Sequence, residues 1–141
     1  MDRCARRTAR PEDSSTTILV IDDDEYLRRA LTYALRREGY SVRTAGNGAE
    51  GLHLLRQLRP VLVLLDVRMP DKDGYELCRD IRRDPELSDT YVILLTARAR
   101  QEDRERGLLA GADECVIKPY SPRSLIERIR DVLDQVLSSH L

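Results

Sequence analysis

From residue 18 onward the chain switches repeatedly between short apolar runs and longer stretches whose apolar residues recur every three or four positions. Ile18-Leu19-Val20-Ile21 is the first run. Its β-branched residues suit a strand. From Leu27, apolar positions return at Ala30, Leu31, Ala34 and Leu35, the spacing of one helix face, and Gly39 stands where a left-handed cap would end that helix. Val42 lies in a short, weak second strand. Asn47 with Glu50 three residues on resembles a capping box, opening a helix with Ala49, Leu52, Leu55 and Leu58 on its apolar side. Val61 to Leu65 is a continuous apolar strand. Tyr75 to Arg83 reads as the third helix, ended by Asp84-Pro85. Tyr91 to Leu95 is a fourth strand, and residues 100 to 110 form a charged, weakly amphipathic helix with Gly111 past its end. Cys115-Val116-Ile117 is a short fifth strand. Ser121 and Pro122 take the cap and first position of a last helix, whose stripe is Leu125, Ile126, Ile129, Val132, Leu133, Val136 and Leu137.

Five βα units follow one another. The central strands are apolar without alternation, as in a parallel sheet covered by helices on both faces. The pattern therefore predicts an open, doubly wound α/β sandwich of flavodoxin-like form, with five parallel strands in the order 2-1-3-4-5. Residues 17 to 138 make one domain. Residues 1 to 16, with Arg3, Arg6, Arg7 and Arg10 before a polar Ser/Thr stretch, read as a flexible tail, and 139 to 141 as a terminus or the start of a linker.

Composition narrows the classes. The 141 residues suffice for one domain, with 41% hydrophobic and 35% charged residues. Basic and acidic residues nearly cancel, 24 against 25, which gives the domain no general footprint for nucleic acid. No apolar run approaches the length of a membrane span. Cys4, Cys78 and Cys115 are scattered without metal-type spacing, as expected for reduced thiols in the cytoplasm. Lys72 and Lys118 are the two lysines in a chain that otherwise uses arginine, so a lysine is informative here.

In such sheets, ligands bind beyond the carboxyl ends of the strands, near the switch point between the first and third. Asp22, Asp23 and Asp24 follow the first strand, Asp66 the third, Thr96 the fourth and Lys118 the fifth. Asp24 is assigned to capping the next helix, and Asp22 is open to the same use. Asp23 and Asp66 are placed side by side, where two carboxylates repel unless a cation joins them. Carboxylate oxygens with open water positions suit Mg²⁺, or a related ion such as Mn²⁺. Lys118 adds a compact positive charge. An ammonium and a hydroxyl opposite a carboxylate-held metal are arranged to neutralise a phosphoryl group. His53 and His140 lie away from this rim, so the nucleophile falls to a carboxylate, and Asp66 is best placed.

These residues carry a resemblance. Ile21-Asp22-Asp23, then Leu65-Asp66-Val67-Arg68-Met69-Pro70 with Asp73-Gly74, then Leu95-Thr96-Ala97, then Lys118-Pro119-Tyr120 resemble, in order and spacing, the receiver domains of two-component response regulators. The resemblance covers about Thr17 to Leu137. It implies that Asp66 accepts a phosphoryl group from a sensor histidine kinase or phosphotransfer protein. It implies Mg²⁺ held by Asp23, Asp66 and the Arg68 backbone carbonyl, with Asp22 acting partly through water. Thr96, Lys118 and the Ala97 amide would meet the phosphoryl oxygens. A cis Lys118-Pro119 bond and a special backbone conformation at Gly74 are implied as well. The signal would leave through the face of the fourth helix, fifth strand and fifth helix, which is also the expected surface of a homodimer, with Glu114 and Arg128 bridging the pair. Neither a membrane nor nucleic acid is an expected partner of this domain.

Three positions depart from the family pattern or flank its site. Cys115 stands where an aromatic residue is usual, which predicts weaker coupling between Asp66 and the output face. Arg68 and Arg98 flank the site with bulky cations, which predicts a long-lived phosphoaspartate. Other readings compete with a signalling module that lacks external turnover. A haloacid-dehalogenase-like hydrolase would carry a second Asp where Arg68 stands. A flavin protein would not place an acidic loop after its first strand. A docking module without phosphorylation would not need the complete site.

Overall fold

A computed structural model describes residues 17–97 and 100–138. The order of elements is β1 (Thr17–Ile21), α1 (Glu25–Arg37), β2 (Ser41–Ala45), α2 (Gly48–Leu58), β3 (Leu62–Asp66), α3 (Gly74–Arg83), β4 (Tyr91–Thr96), α4 (Gln101–Ala110), β5 (Glu114–Ile117) and α5 (Pro122–Ser138). All strand pairs are parallel and the sheet order is β2-β1-β3-β4-β5, as the sequence pattern predicts. The expectations for residues 1–16, Arg98 and His140 lie outside the described residues.

Unbroken apolar runs are needed because each strand feeds two cores. Alternate residues of a strand point to opposite faces. Leu19, Ile21, Val63, Leu65, Val92 and Leu94 pack with Leu54, Leu55, Leu77, Cys78, Ile81 and Ala110 of α2, α3 and α4. Ile18, Val20, Leu62, Leu64, Ile93 and Leu95 pack on the other face, with Leu31 and Leu35 of α1 and Leu125, Ile129 and Leu133 of α5. Removing a side chain as fully enclosed as Leu64 would cost about 2–5 kcal/mol, part lost transfer energy and part cavity.

Helix ends follow their caps, with two differences from the sequence reading. Asn47 accepts from the Glu50 amide at 2.8 Å, but the Glu50 carboxylate turns back to the Gly46 amide instead of the Asn47 amide, so the box is displaced by one residue. Leu54 is buried in α2, whereas Ala49 is exposed, so the helix is rotated from the face that the leucine spacing alone suggests. Asp24 caps α1 as assigned, and Gly39 is left-handed with φ of 95°.

Candidate functional site

The strand register gathers the chemistry. Ile21 pairs with Leu65, Asp66 with Leu95 and Thr96 with Ile117. Asp22, Asp66, Thr96 and Lys118 therefore arrive at one rim from four neighbouring strands. The β1–α1 turn is held from within. Asp22 Oδ1 accepts the Asp24 amide at 2.9 Å, and Arg28 Nη1 donates to the Asp22 carbonyl at 2.7 Å. The Lys118 amide donates to the Thr96 carbonyl at 2.6 Å, which ties the end of β5 to the end of β4. The Lys118-Pro119 bond is cis.

Lys118 Nζ lies 3.1 Å from Asp22 Oδ2 and 3.1 Å from Asp66 Oδ1, bridging the two acids. Asp22 and Asp66 are 1% and 5% exposed, whereas Asp23 is open to solvent. Burial, and then the neighbouring Asp22 charge, push Asp66 up to about 6, against the pull of Lys118 and the Arg68 backbone amide. For Lys118, burial works against the charged form, but Asp66 and Asp22 outweigh it and hold the ammonium above its ordinary range. Among the described residues, Asp23 makes no side-chain hydrogen bond or ion pair. Ligand atoms of Asp22, Asp23 and Asp66 nevertheless all lie within 4.8 Å of one another. Three carboxylates facing one ammonium leave an excess of negative charge that a divalent cation offsets, so the donor set fits a hard, oxygen-preferring ion.

The acids open into a cleft of about 630 Å³, whose walls include Arg68, Met69, Thr96, Ala97 and Lys118. Thr96 is buried. Every residue expected at the site is thus brought to it, apart from Arg98, which is not described. Gly74 requires a correction. Its backbone is not left-handed: it opens α3 behind an Asp73 capping box. Glycine is needed there for space, because a Cβ would lie 2.6 Å from the Asp66 carbonyl oxygen and 2.8 Å from the Val67 Cα.

Three contributors were not singled out from sequence. Arg28 steadies the Asp22 turn, as described. Tyr75 lines the cleft, donates to the Asp103 carbonyl of α4 at 3.3 Å, and carries the Arg106 guanidinium 4.4 Å above its ring. Asp71 holds the loop after β3 against α2. Tyr75 follows the Asp73-Gly74 motif directly, and that was the one signal available; contacts made by Arg28 and Asp71 depend on turns that periodicity does not report.

The face of α4, β5 and α5 also differs in one respect. Glu114 and Arg128 already pair within the chain, Arg128 Nε lying 2.8 and 3.0 Å from the two carboxylate oxygens, while the Tyr91 hydroxyl donates to the same carboxylate at 2.5 Å. Cys115 is half-buried, with Sγ against Gly107 of α4. On α4, Leu108 and Leu109 are exposed.

Comparison with known proteins agrees with this geometry. The transcriptional regulatory protein AfsQ1 of Streptomyces coelicolor is 49% identical over 117 residues, which cover 83% of this chain and 51% of that protein. The DNA-binding response regulator MtrA of Mycolicibacterium smegmatis is 42% identical over 113 residues, 80% of this chain and 48% of its own. This chain spans about half the length of these curated relatives. The crystal structure of a CheY-like response regulator receiver domain protein from Methanospirillum hungatei superposes with a TM-score of 0.81 at 32% identity, covering 88% of this chain and 98% of that one. Residues 18–130 match the family described as the response regulator receiver domain. This chain belongs to that family, as a receiver domain of two-component response regulators.

Proposed function

We propose that the chain is a phosphorylation switch in which Asp66 accepts a phosphoryl group from a sensor histidine kinase or a phosphotransfer protein. The observation that carries this reading is the buried Asp66 carboxylate at the centre of an acidic cluster, with Lys118 Nζ 3.1 Å away and Thr96 on the neighbouring strand. An oxygen of Asp66 attacks phosphorus, the bond from phosphorus to the donor nitrogen breaks, and the electron pair leaves with the imidazole. Lys118 stays bound to an Asp66 oxygen and neutralises charge on the transferred group, while Thr96 supplies a hydroxyl to it.

Asp23, Asp66 and the Arg68 backbone carbonyl would hold Mg²⁺, or Mn²⁺ in its place. Asp22 contributes less directly, because its oxygens are engaged by the Asp24 amide and Lys118. Asp23, exposed and without a protein partner among the described residues, is the carboxylate left available for the ion. When bound, the ion offsets the charge gathered between Asp66 and the phosphoryl oxygens.

The new group adds close to two negative charges and three acceptor oxygens. Thr96 turns toward it and draws the β4–α4 connection inward, which changes the face of α4, β5 and α5. Tyr75 supports this route, since its hydroxyl and ring both hold α4 beside the cleft. The domain thus acts as a cytoplasmic signalling module without external turnover, and the names of its longer relatives support a regulatory output. Incubation with Mg²⁺ and a small acyl phosphate tests the reading by intact mass. The expected result is a gain of one phosphoryl group, absent from Asp66→Ala and abolished by a chelator; no gain in folded protein that binds Mg²⁺ would contradict direct acceptance from a small donor.

A further inference from the structure

The loop between β3 and α3, residues 67–73, carries both the Arg68 amide that lowers the Asp66 pKa and the Arg68 carbonyl assigned above to the metal. Something must fix this loop, because three of its residues, Arg68, Pro70 and Asp71, are exposed. At its α3 end the Gly74 amide donates to the Val67 carbonyl at 2.8 Å, and Asp73 caps α3. At its crest the partner is α2. Asp71 Oδ1 accepts the Gly48 amide at 2.9 Å, and Asp71 Oδ2 accepts the Ala49 amide at 2.9 Å.

These are the first two amides of α2, and helix geometry leaves them without an internal partner. Asn47, the helix's own cap, takes the next amide, that of Glu50. The loop and the helix therefore share the task of capping, and the Asp71 carboxylate also meets the positive end of the helix dipole. The contact is tight. A Cβ on Gly48 would lie 2.9 Å from the Lys72 Cβ and 3.3 Å from the Lys72 carbonyl oxygen, so glycine lets the loop seat directly on the helix. Lys72 in turn pairs with Asp80 of α3 at 2.5 Å, which fixes the same crest from the other side.

We infer that Asp71 is a positioning residue of the phosphoryl site: by clamping the loop to the first turn of α2, it holds the Arg68 backbone at the acidic cluster. This rests on the phosphoacceptor reading above. An oxygen ligand on a backbone carbonyl can be only as well placed as its loop, and support of this kind outside the ligand set governs metal affinity. Simple capping of α2 would stabilise the fold without touching the metal site, so the two roles separate experimentally.

The test compares wild type with Asp71→Asn, Asp71→Ala and Gly48→Ala. Mg²⁺ affinity is measured by titration calorimetry, and the melting temperature is measured without metal. The expected result is a Mg²⁺ Kd raised about tenfold in Asp71→Ala and Gly48→Ala. Asp71→Asn, which keeps one acceptor oxygen, should fall between them and wild type. It is also the variant to rely on if the alanine substitutions unfold the chain. A lowered melting temperature with Mg²⁺ affinity within twofold of wild type would overturn the inference and leave Asp71 as a helix cap. Failure of the wild-type protein itself to bind Mg²⁺ would instead overturn the underlying reading of the site, and the inference with it.

Discussion

Gly74 lies so close to Asp66 that a Cβ on it would stand 2.6 Å from the Asp66 carbonyl oxygen. The start of α3 is thereby pressed onto the end of β3, and both ends of the loop that serves the site are set. Gly74→Ala must move backbone at both places, since neither atom in the way is a flexible side-chain tip. The expected cost is about 1–3 kcal/mol by urea denaturation. Phosphorylation by a small donor should slow as well, because the shift falls on Asp66. A Gly74→Ala variant as stable and as reactive as wild type would contradict the close approach.

Asp66 should destabilise the fold when no metal is present. Its carboxyl is raised from 3.8 to about 6 by burial and by Asp22. Between those values the folded chain holds a proton that the unfolded chain has lost, so stability falls as pH rises through this window. Above about pH 6 the penalty is complete. Asp66→Asn should therefore be more stable than wild type near neutral pH in chelator, by about 1–2 kcal/mol. The gain should shrink below pH 6 and be nearly gone by pH 4, and added Mg²⁺ should narrow it in the neutral range. Denaturation curves across pH check each part.

Much of this is legible in the sequence. Strand runs such as Val61 to Leu65 announce a buried parallel sheet, because hydrophobic demand on both faces is written into consecutive residues. The site was legible because a parallel sheet delivers every strand end to one rim, so Asp22, Asp66, Thr96 and Lys118 needed only the strand order to be brought together. What escaped was set by turns and close packing. The resemblance marks Gly74 for its backbone conformation, but the constraint is the volume behind it. Glu114 and Arg128, which the resemblance offers as a bridge between two chains, also pair within one chain, with the Tyr91 hydroxyl on the same carboxylate.

Cys115 predicts modest coupling between Asp66 and the proposed output face of α4, β5 and α5. Its sulfur fills a narrow space against Gly107, where a Cβ would come within 2.7 Å of it. An aromatic ring does not fit there, so Cys115→Tyr must point its ring along the sheet edge or displace α4. The variant should show faster amide hydrogen exchange in α4 and stronger phosphorylation-dependent dimerisation than wild type. Equal dimerisation by sedimentation would count against the coupling argument.

The Glu114–Arg128 pair gives a second pH signature with the opposite sign. Burial alone would raise Glu114, but hydrogen bonds from Arg128 and Tyr91 outweigh it and hold its carboxyl below the ordinary 4.5. Its stabilisation is therefore present above pH 4.5 and lost as pH falls through the lower folded value. Arg128 is half exposed, so solvent screens the pair and its contribution should be about 0.2–1 kcal/mol. Glu114→Gln should be less stable than wild type by that amount near neutral pH, with the gap closing in acid and in high salt.

The central claim, that Asp66 is the phosphoacceptor, is tested most directly by trapping the acyl phosphate chemically. Protein treated with Mg²⁺ and a small phosphodonor is reduced with borohydride, which converts a phosphorylated aspartate to homoserine, and its peptides are weighed. The account predicts homoserine at position 66 and at no other aspartate, with none formed when Mg²⁺ is chelated. Homoserine at Asp22 or Asp23 with Asp66 unmodified would contradict it.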